Sequence, residues 1–493
     1  MEDNAIVNLR HYTPQHREEL EKLLASHRWQ TALNSGLVEE VQEERIEPGK
    51  PRPFIDTVVD QLREFNQKRV GNLIAQGHID EEDLFAELSR WPLESKDPKI
   101  SFFGMNLTYR CNFIPRCIYC NQSQVESTVG LDGWKCMIEE ITSNSDGEGP
   151  YIYITGGEPL VLGEQIWGDD GLIRFATERS ARVNVNTNAT LITPEVALRF
   201  IKGGLGILHI SLDTSDPELQ NELFGNSSSD LTHQVLQGIY NIQLARDILG
   251  TSYPAIHTNC VLTKKNLDKF PQLVAFILEK RKQTADRKDP FYNDLFPHII
   301  PVGGSSNDWL RPSEEEFRRL YTEIWNHVCE IWDNYQVKLG VPQGKRGILF
   351  GYFSNPFLKI EHEGGLEAYI AVSREGQYGK LGLSRQCYVA PTQAYFTPDG
   401  YQFRCGSHAV RRQHPIGNIA ERKVFDSIRS GIADLDQLPQ EEDCYGCALA
   451  TLYINQSVEA KLKAELQSML KMRKTPIKKE LGKPVSQALE MEL

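Results

Sequence analysis

No apolar run of 18 residues occurs anywhere in this chain of 493, and its first segment, Met1 to Thr13, has no apolar core. Neither a membrane-spanning helix nor a secretory signal is therefore expected. Positive charge is also in deficit. The 54 Lys and Arg are outnumbered by 67 Asp and Glu, a formal net charge of −13, which argues against non-specific binding to nucleic acid or to an acidic membrane. There is no internal repeat, and nothing in residues 1–95 resembles a catalytic motif. A cytoplasmic setting follows as the expectation, and there thiols stay reduced. The ten cysteines then read as metal ligands before disulfides. With 40% hydrophobic residues the chain can bury a large core and carry two or three domains.

Seven of the ten cysteines fall into patterned groups, leaving Cys136, Cys260 and Cys329 over. The first group is Cys111, Cys117 and Cys120, which follows a strand-like run, Ile100 to Leu107. A second strand-like run answers it with Thr155-Gly156-Gly157-Glu158-Pro159. Three close thiolates can hold three irons of a 4Fe–4S cluster and leave the fourth iron without a protein ligand. A structural zinc site is the plainer alternative, but it wants a fourth ligand nearby, and neither Asn112 nor Tyr119 is a good one.

Periodicity divides the rest. Residues 1–97 read as helical, with Thr13-Pro14 as N-cap and first position, a proline-rich loop (Pro48, Pro51, Pro53), then helices marked by Val58, Leu62 and Phe65 and by Leu84 and Leu88. From 98 to 335, strands are expected at Ile100–Thr108, Tyr151–Thr155, Val183–Thr187, Leu208–Asp213, Ile256–Thr263 and Phe296–Val302. Helices such as Asp132–Ser143, Thr232–Leu249 and Leu267–Lys280 separate them. Six strand–helix units predict an α/β fold, a partial parallel (β/α)6 barrel with its chemistry at the C-terminal ends of the strands. Ser313-Glu314-Glu315-Glu316 is a capping box opening a helix through Trp332. Residues 336–385, rich in Gly and aromatics without a clear period, read as an insertion facing substrate. Residues 386–450 hold the remaining patterned cysteines, and 451–493 read as a helix, Val458 to Met472, and a basic tail through Lys483.

Five elements in order make this chain resemble the radical S-adenosylmethionine (radical SAM) superfamily. They are the cysteine triplet, Gly156-Gly157-Glu158-Pro159, Val185-Asn186-Thr187-Asn188-Ala189-Thr190, Ile210-Ser211-Leu212-Asp213, and the stretch from His257 through Asn259 to Asn266. The resemblance implies that Cys111, Cys117 and Cys120 ligate the catalytic 4Fe–4S cluster, whose open iron is chelated by S-adenosyl-L-methionine. It implies that Gly156 and Gly157 let backbone approach the cofactor's methionine group, with Glu158 and Pro159 completing the turn. Tyr119 would lie near the adenine, and Thr187, Asn188, Ser211, Asp213 and Asn259 are the further cofactor-contact candidates. Three departures stand out: five residues, not three, separate Cys111 from Cys117; Ala189 replaces a glycine; and Phe224-Gly225 stands where an Arg-Gly pair is common.

The second group, Cys387, Cys405, Cys444 and Cys447, resembles the C-terminal auxiliary-cluster extension called SPASM in its shortened, twitch form, and implies one auxiliary 4Fe–4S cluster closed by four thiolates. A four-cysteine zinc ribbon is the alternative. Thr397-Pro398-Asp399-Gly400-Tyr401 reads as a hairpin turn bringing Cys387 and Cys405 together. Alternation puts Cys260 opposite His257 and Asn259, packed and inert, while Cys136 and Cys329 read as small core residues on helices, or one of the three as a hydrogen donor. His408, Arg411, Arg412 and His414 are either solvated or contacts for an acidic group.

The function expected is release of a 5′-deoxyadenosyl radical that takes hydrogen from substrate, with a ribosomally made peptide or protein as that substrate. The alternative is a small molecule, as in aminoglycoside or other secondary metabolism. A reductant such as flavodoxin or ferredoxin is the implied partner. The reading from another class is a non-enzymatic iron–sulfur or zinc protein.

Overall fold

The computed structural model describes residues 7–91, 97–143, 147–226, 230–283, 295–303, 305–346, 365–381, 386–433, 444, 447 and 449–474. Its first six strands are β1 (Phe102–Thr108), β2 (Tyr151–Gly156), β3 (Arg182–Thr187), β4 (Ile207–Ser211), β5 (Ala255–Leu262) and β6 (Phe296–Pro301). All are parallel, in the order β6-β5-β4-β3-β2-β1. The expected strand ends are displaced by two residues at most.

Alternation along the strands explains how the sheet sits. Ile152, Ile154, Val183, Val185, Leu208, Ile210 and Ile256 are fully buried on one face, under helices such as Leu131–Thr142, Leu231–Leu249 and Phe270–Lys280. The intervening residues Tyr151, Tyr153 and Thr155, then His209 and Ser211, keep some exposure and face the concave lumen. A one-residue slip would exchange the two sets, so this pattern sets the register.

The sheet does not stop at β1. Strand β7 (Gln393–Phe396) pairs with it in parallel, and β8 (Tyr401–Phe403) and β9 (Gly417–Asn418) follow antiparallel. The turn expected at Thr397–Tyr401 is thus the β7–β8 hairpin, with Gly400 left-handed at φ 83°. That hairpin also extends the barrel sheet, which its sequence pattern alone did not indicate. Among the described residues no ladder joins β6 to β9, so the sheet described is an open barrel.

The N-terminal region holds five helices where the periodicity marked three: Pro14–Leu24, His27–Asn34, Leu37–Glu44, Phe54–Ala75 and Glu81–Ser89. Two of the first three are only eight residues long, too short for a clear stripe. They dock on the outer barrel helices. Trp29 Nε1 donates to Asn241 Oδ1 at 2.8 Å, His16 Nε2 lies 2.9 Å from Gln243 Oε1, and Glu40 pairs with Arg199 and Lys202. Phe54–Ala75 and Glu81–Ser89 pack instead on the C-terminal helix Leu449–Lys474, with Arg63 Nε donating to Glu465 at 3.1 Å. That helix starts earlier than expected, and the basic tail beyond it lies outside the described residues.

Two further expectations shift. The capping box at Ser313 is present, but the helix widens into a π turn at Leu320–Ile324 and continues as Trp325–Lys338, past Trp332. Within 336–385, residues 347–364 and 382–385 lie outside the described residues, whereas Gly365–Glu375 is a helix, anchored by a 2.7 Å bond between Tyr321 Oη and Ser373 Oγ. Among the described residues no helix is long and apolar enough to cross a membrane.

Trp29 is fully buried. Trp29→Ala should destabilise the fold by about 3–5 kcal/mol, and Trp29→Phe, which strips Asn241 of its donor, by about 1–3 kcal/mol. Denaturant titration checks both; unchanged midpoints would mean that the N-terminal helices do not dock as described.

Candidate functional site

The chain leaves β1 into the loop that carries the cysteine triplet, and four contacts hold this loop over the strand ends. The Arg116 guanidinium donates to the Tyr109 carbonyl at 2.6 Å. The buried Phe113 ring packs on buried Phe224, centroids 5.0 Å apart, and Ile118 N–H donates to the Leu223 carbonyl at 3.0 Å. Asn307 Nδ2, from beyond β6, donates to the Tyr119 carbonyl at 2.8 Å. The pair Phe224-Gly225 thereby has a structural role. Phe224 supplies the apolar seat, and Gly225, at φ +72°, lies where a β-carbon would be 2.2 Å from the Arg116 carbonyl oxygen. The extra length of the loop is taken up outward, where Ile114 is 85% exposed.

The three thiols come together above the barrel. Burial pushes the Cys111 and Cys117 thiols up, and the charges of Glu158, Asp213 and their fellow cysteines push the same way. Phe113 N–H donates to Cys111 Sγ at 3.4 Å. The neighbouring side chains are already engaged. Asn112 accepts from Asn188 Nδ2 at 2.8 Å and donates to Thr190 Oγ1 at 2.9 Å, while the Tyr119 hydroxyl donates to Asp213 Oδ2 at 2.5 Å. Three thiols, with Asn112 and Tyr119 hydrogen-bonded to other side chains, fit a 4Fe–4S cluster with one open iron. They also do not converge within the 4.8 Å span that a single ion requires.

The opposing wall is built from the ends of β2 to β5. A β-carbon on Gly156 (φ +137°) would lie 2.2 Å from the Thr108 carbonyl oxygen, and one on Gly157 2.1 Å from that of Arg110. The protein's own backbone therefore requires both glycines. Pro159 opens the short helical turn Pro159–Leu162. Glu158 is buried and clips β2 to β3: it accepts from Thr187 Oγ1 at 2.8 Å, Asn188 N at 2.7 Å and Leu160 N at 3.0 Å. Burial nevertheless drives its carboxyl up to about 7. Asp213, pushed by burial up to about 6, accepts from Tyr119 and from Val261 N at 2.7 Å. Ser211 is half-buried and level with Asn259. Asn259 faces the lumen, with Oδ1 on His209 and Nδ2 on Asn186. Sequence reading missed Asn307, which stands in no motif, and Gln220, whose Oε1 accepts the Asp213 and Thr214 N–H groups at 2.8 and 2.9 Å.

Cys387, Cys405, Cys444 and Cys447 form a second group, each within electrostatic reach of its fellows. Burial pushes Cys405 up to about 11 and pushes Cys447 well up too. Asn455 braces Cys387: its Nδ2 lies 3.7 Å from the sulfur, and its Oδ1 accepts from Tyr388 N and Val389 N. Four thiols fit a closed cluster; they too are spread beyond the single-ion span. Of the two readings for His408 and Arg412, solvated or contacts for an acidic group, full solvation does not hold for either. His408 is buried, and Arg412 forms a fork with Asp399 at 2.5 and 3.1 Å. Of the leftover cysteines Cys260 is buried, its sulfur 3.3 Å from the Asp213 carbonyl oxygen, and Cys329 is half-buried and packs against the core, but Cys136 is exposed and so is not a core residue.

Two outcomes are expected. Gly225→Ala should push Arg116 and the thiol loop off the strand ends, so that iron bound per chain falls by more than half while helix content persists; full iron retention would refute the backbone contact. Glu158, ordinarily near 4.5, titrates near 7 in the fold, so its contribution to stability is complete below pH 4.5 and lost as pH rises to 7. The loss is on the order of 3 kcal/mol. Thermal unfolding of the cluster-free protein should therefore show that Glu158→Gln flattens the fall in midpoint across this window. A parallel slope in the variant would contradict it.

The family model described as Radical SAM superfamily matches residues 105–245. Mycofactocin maturase MftC of Mycobacterium tuberculosis is 28% identical over 234 residues, which is 46% of this chain and 55% of that protein. The AdoMet-dependent heme synthase of Methanosarcina barkeri is 26% identical over 333 residues, 66% of this chain and 83% of that one. SuiB of Streptococcus suis, a solved structure, has a TM-score of 0.47 at 16% identity, covering 80% of this chain and 85% of that chain. The chain spans about half the length of the mycofactocin maturases it matches. Its thiol loop and the ends of β1 to β4 all lie inside the segment, residues 105–245, that the Radical SAM superfamily model matches.

Proposed function

We propose that the chain is a radical SAM enzyme, and the observation that carries this is the thiol triplet at the barrel mouth, whose neighbours Asn112 and Tyr119 are hydrogen-bonded to other side chains. Cys111, Cys117 and Cys120 hold the catalytic 4Fe–4S cluster. Cys387, Cys405, Cys444 and Cys447 hold an auxiliary one. When bound, cluster and S-adenosylmethionine supply reductive cleavage of a carbon–sulfur bond and a 5′-deoxyadenosyl radical able to take hydrogen from substrate.

The chain's own residues position and shield. Gly156 and Gly157 leave a strand end without side chains for the methionine group, and the Tyr119 ring offers a face for the adenine. Thr187, Asn188, Ser211 and Asn259 are the polar contacts we assign to the cofactor. Glu158 and Asp213 act through other residues, by fixing the β2–β3 turn and the Tyr119 hydroxyl. The open lumen admits substrate from the side that no strand closes. The electron comes from a small reductant of the flavodoxin or ferredoxin kind, in the cytoplasm.

For the substrate we favour a peptide or protein, supported by the similarity to mycofactocin maturases. A small molecule is the second reading, favoured by the 83% of a heme synthase's length that aligns with this chain. After anaerobic reconstitution and reduction, the protein should convert S-adenosylmethionine to 5′-deoxyadenosine, and Cys117→Ala should reduce this at least a hundredfold. The pair Cys444→Ala and Cys447→Ala should lower iron from about eight to about four per chain. No 5′-deoxyadenosine from the fully loaded protein, or unaltered iron in the double variant, would refute the respective halves of the reading.

A further inference from the structure

Inside the lumen, three histidines come together that neither thiol group uses. His209 on β4 lies opposite His257 on β5, and His298 on β6 lies opposite Asn259, two residues along the same lumen-facing row. The ring centroids are 5.0 Å apart for His209 and His257, 4.9 Å for His257 and His298, and 5.5 Å for His209 and His298. One nitrogen from each ring lies within 4.8 Å of the other two.

The separations suit a metal ion. His298 Nε2 and His257 Nδ1 are 3.2 Å apart. Two imidazole nitrogens on one ion, at bond lengths near 2.0–2.1 Å and angles between octahedral and tetrahedral, stand about 2.8–3.4 Å apart. An ion can thus replace the proton that these rings share, and the donor ring can carry that proton on its opposite nitrogen.

A neighbouring hydrogen-bond chain also sets the third ligand. Asn259 Nδ2 donates to Asn186 Oδ1 at 3.1 Å, so Asn259 Oδ1 is an acceptor, and His209 Nδ1, 3.1 Å from it, must carry the proton. In a neutral ring this leaves the Nε2 lone pair of His209 exposed for coordination. Such outer-shell support is a regular feature of metal-binding histidines. A purely structural trio would need no such fixed tautomer, and apolar residues fill barrel interiors more simply.

We propose that His209, His257 and His298 form a site for a single divalent transition ion of the zinc, iron(II) or cobalt(II) class. Three imidazoles without thiolate or carboxylate select this borderline class. Three protein ligands leave a position free for water or a substrate donor. His209 and His298 keep surface toward the lumen, so that position faces the space where substrate enters. The site stands apart from both thiol groups and does not rest on the radical reading.

Zinc is the probe. The full chain, with both clusters reconstituted, is dialysed anaerobically against buffered micromolar zinc chloride, and zinc, iron and sulfide are measured per chain. About one zinc is expected, and the zinc X-ray absorption edge should show only nitrogen or oxygen neighbours near 2.0–2.1 Å, with imidazole outer scattering. His209→Gln and His298→Gln should each lower zinc at least tenfold at the same free concentration, with iron and sulfide unchanged. No bound zinc, a sulfur shell near 2.3 Å, or zinc undiminished in both variants would overturn the proposal. Should a variant also lose iron, the absorption spectrum of the unaltered chain decides alone.

Discussion

Where β1 ends, backbone lies against backbone with no space for a side chain between. The carbonyl oxygens of Thr108, Arg110 and Arg116 would stand 2.1–2.2 Å from β-carbons at Gly156, Gly157 and Gly225. These contacts place the thiol loop directly on the ends of β2 and of the α-helical segment after β4. A loop held this way cannot be moved by rotating a side chain. Its three sulfurs therefore inherit the rigidity of the sheet, which is what a precisely placed reactive group needs. The Phe113–Phe224 contact and the Arg116 hydrogen bond then only have to prevent it from lifting.

Electrostatics works against the empty site and in favour of a loaded one. Glu158 and Asp213 are buried near thiols that burial already keeps protonated. Negative charges in a low-dielectric region disfavour additional thiolates unless cations accompany them. Iron supplies that charge, so loading the cluster and deprotonating the thiols are coupled. The carboxylates persist because each is satisfied: three donors converge on Glu158, and Tyr119 and Val261 N–H serve Asp213. Their use as internal clips leaves half-buried Ser211 and buried Asn259, both facing the lumen, as the polar groups best placed toward a ligand.

Much of this was legible in the sequence because each strand is a short period-two run and each cysteine group is local. Leu208, Ile210 and Ile256 alternate with polar residues, and that alternation predicts both the strand and the presence of a lumen. Contacts between distant segments carry no such signal. Asn307 reaches Tyr119 across 188 residues, and β7 joins β1 across nearly 300 residues of sequence. The short helices His27–Asn34 and Leu37–Glu44 were hidden for another reason. Their stability comes from docking, through Trp29 and Glu40, and not from an apolar stripe of their own. Cys136 shows the reverse error: its helix is amphipathic, but the residue sits on the solvent side.

The same alternation gives the lumen a layered chemistry. Phe102 stacks with Tyr151 at 5.8 Å and with Tyr395 at 5.2 Å to form an aromatic floor, to which β7 contributes the last ring. Above it Tyr153 meets His209 edge-on at 6.3 Å, and the three imidazoles follow. Sulfur ligands lie only outside the strands, in loops, and nitrogen ligands only on them. Thiolates prefer iron–sulfur clusters and imidazoles prefer borderline divalent ions, so under the proposals above this separation would keep two kinds of metal apart. It also orders the reactive groups by depth. A substrate that reached past Ser211 and Asn259 would meet imidazole nitrogen before it met the aromatic floor, and a lone-pair donor on it would be held at a fixed distance below the mouth. The β4–β5–β6 register that brings the histidines together is the same register that aligns Ser211 with Asn259, so strand pairing alone couples the two levels of the lumen.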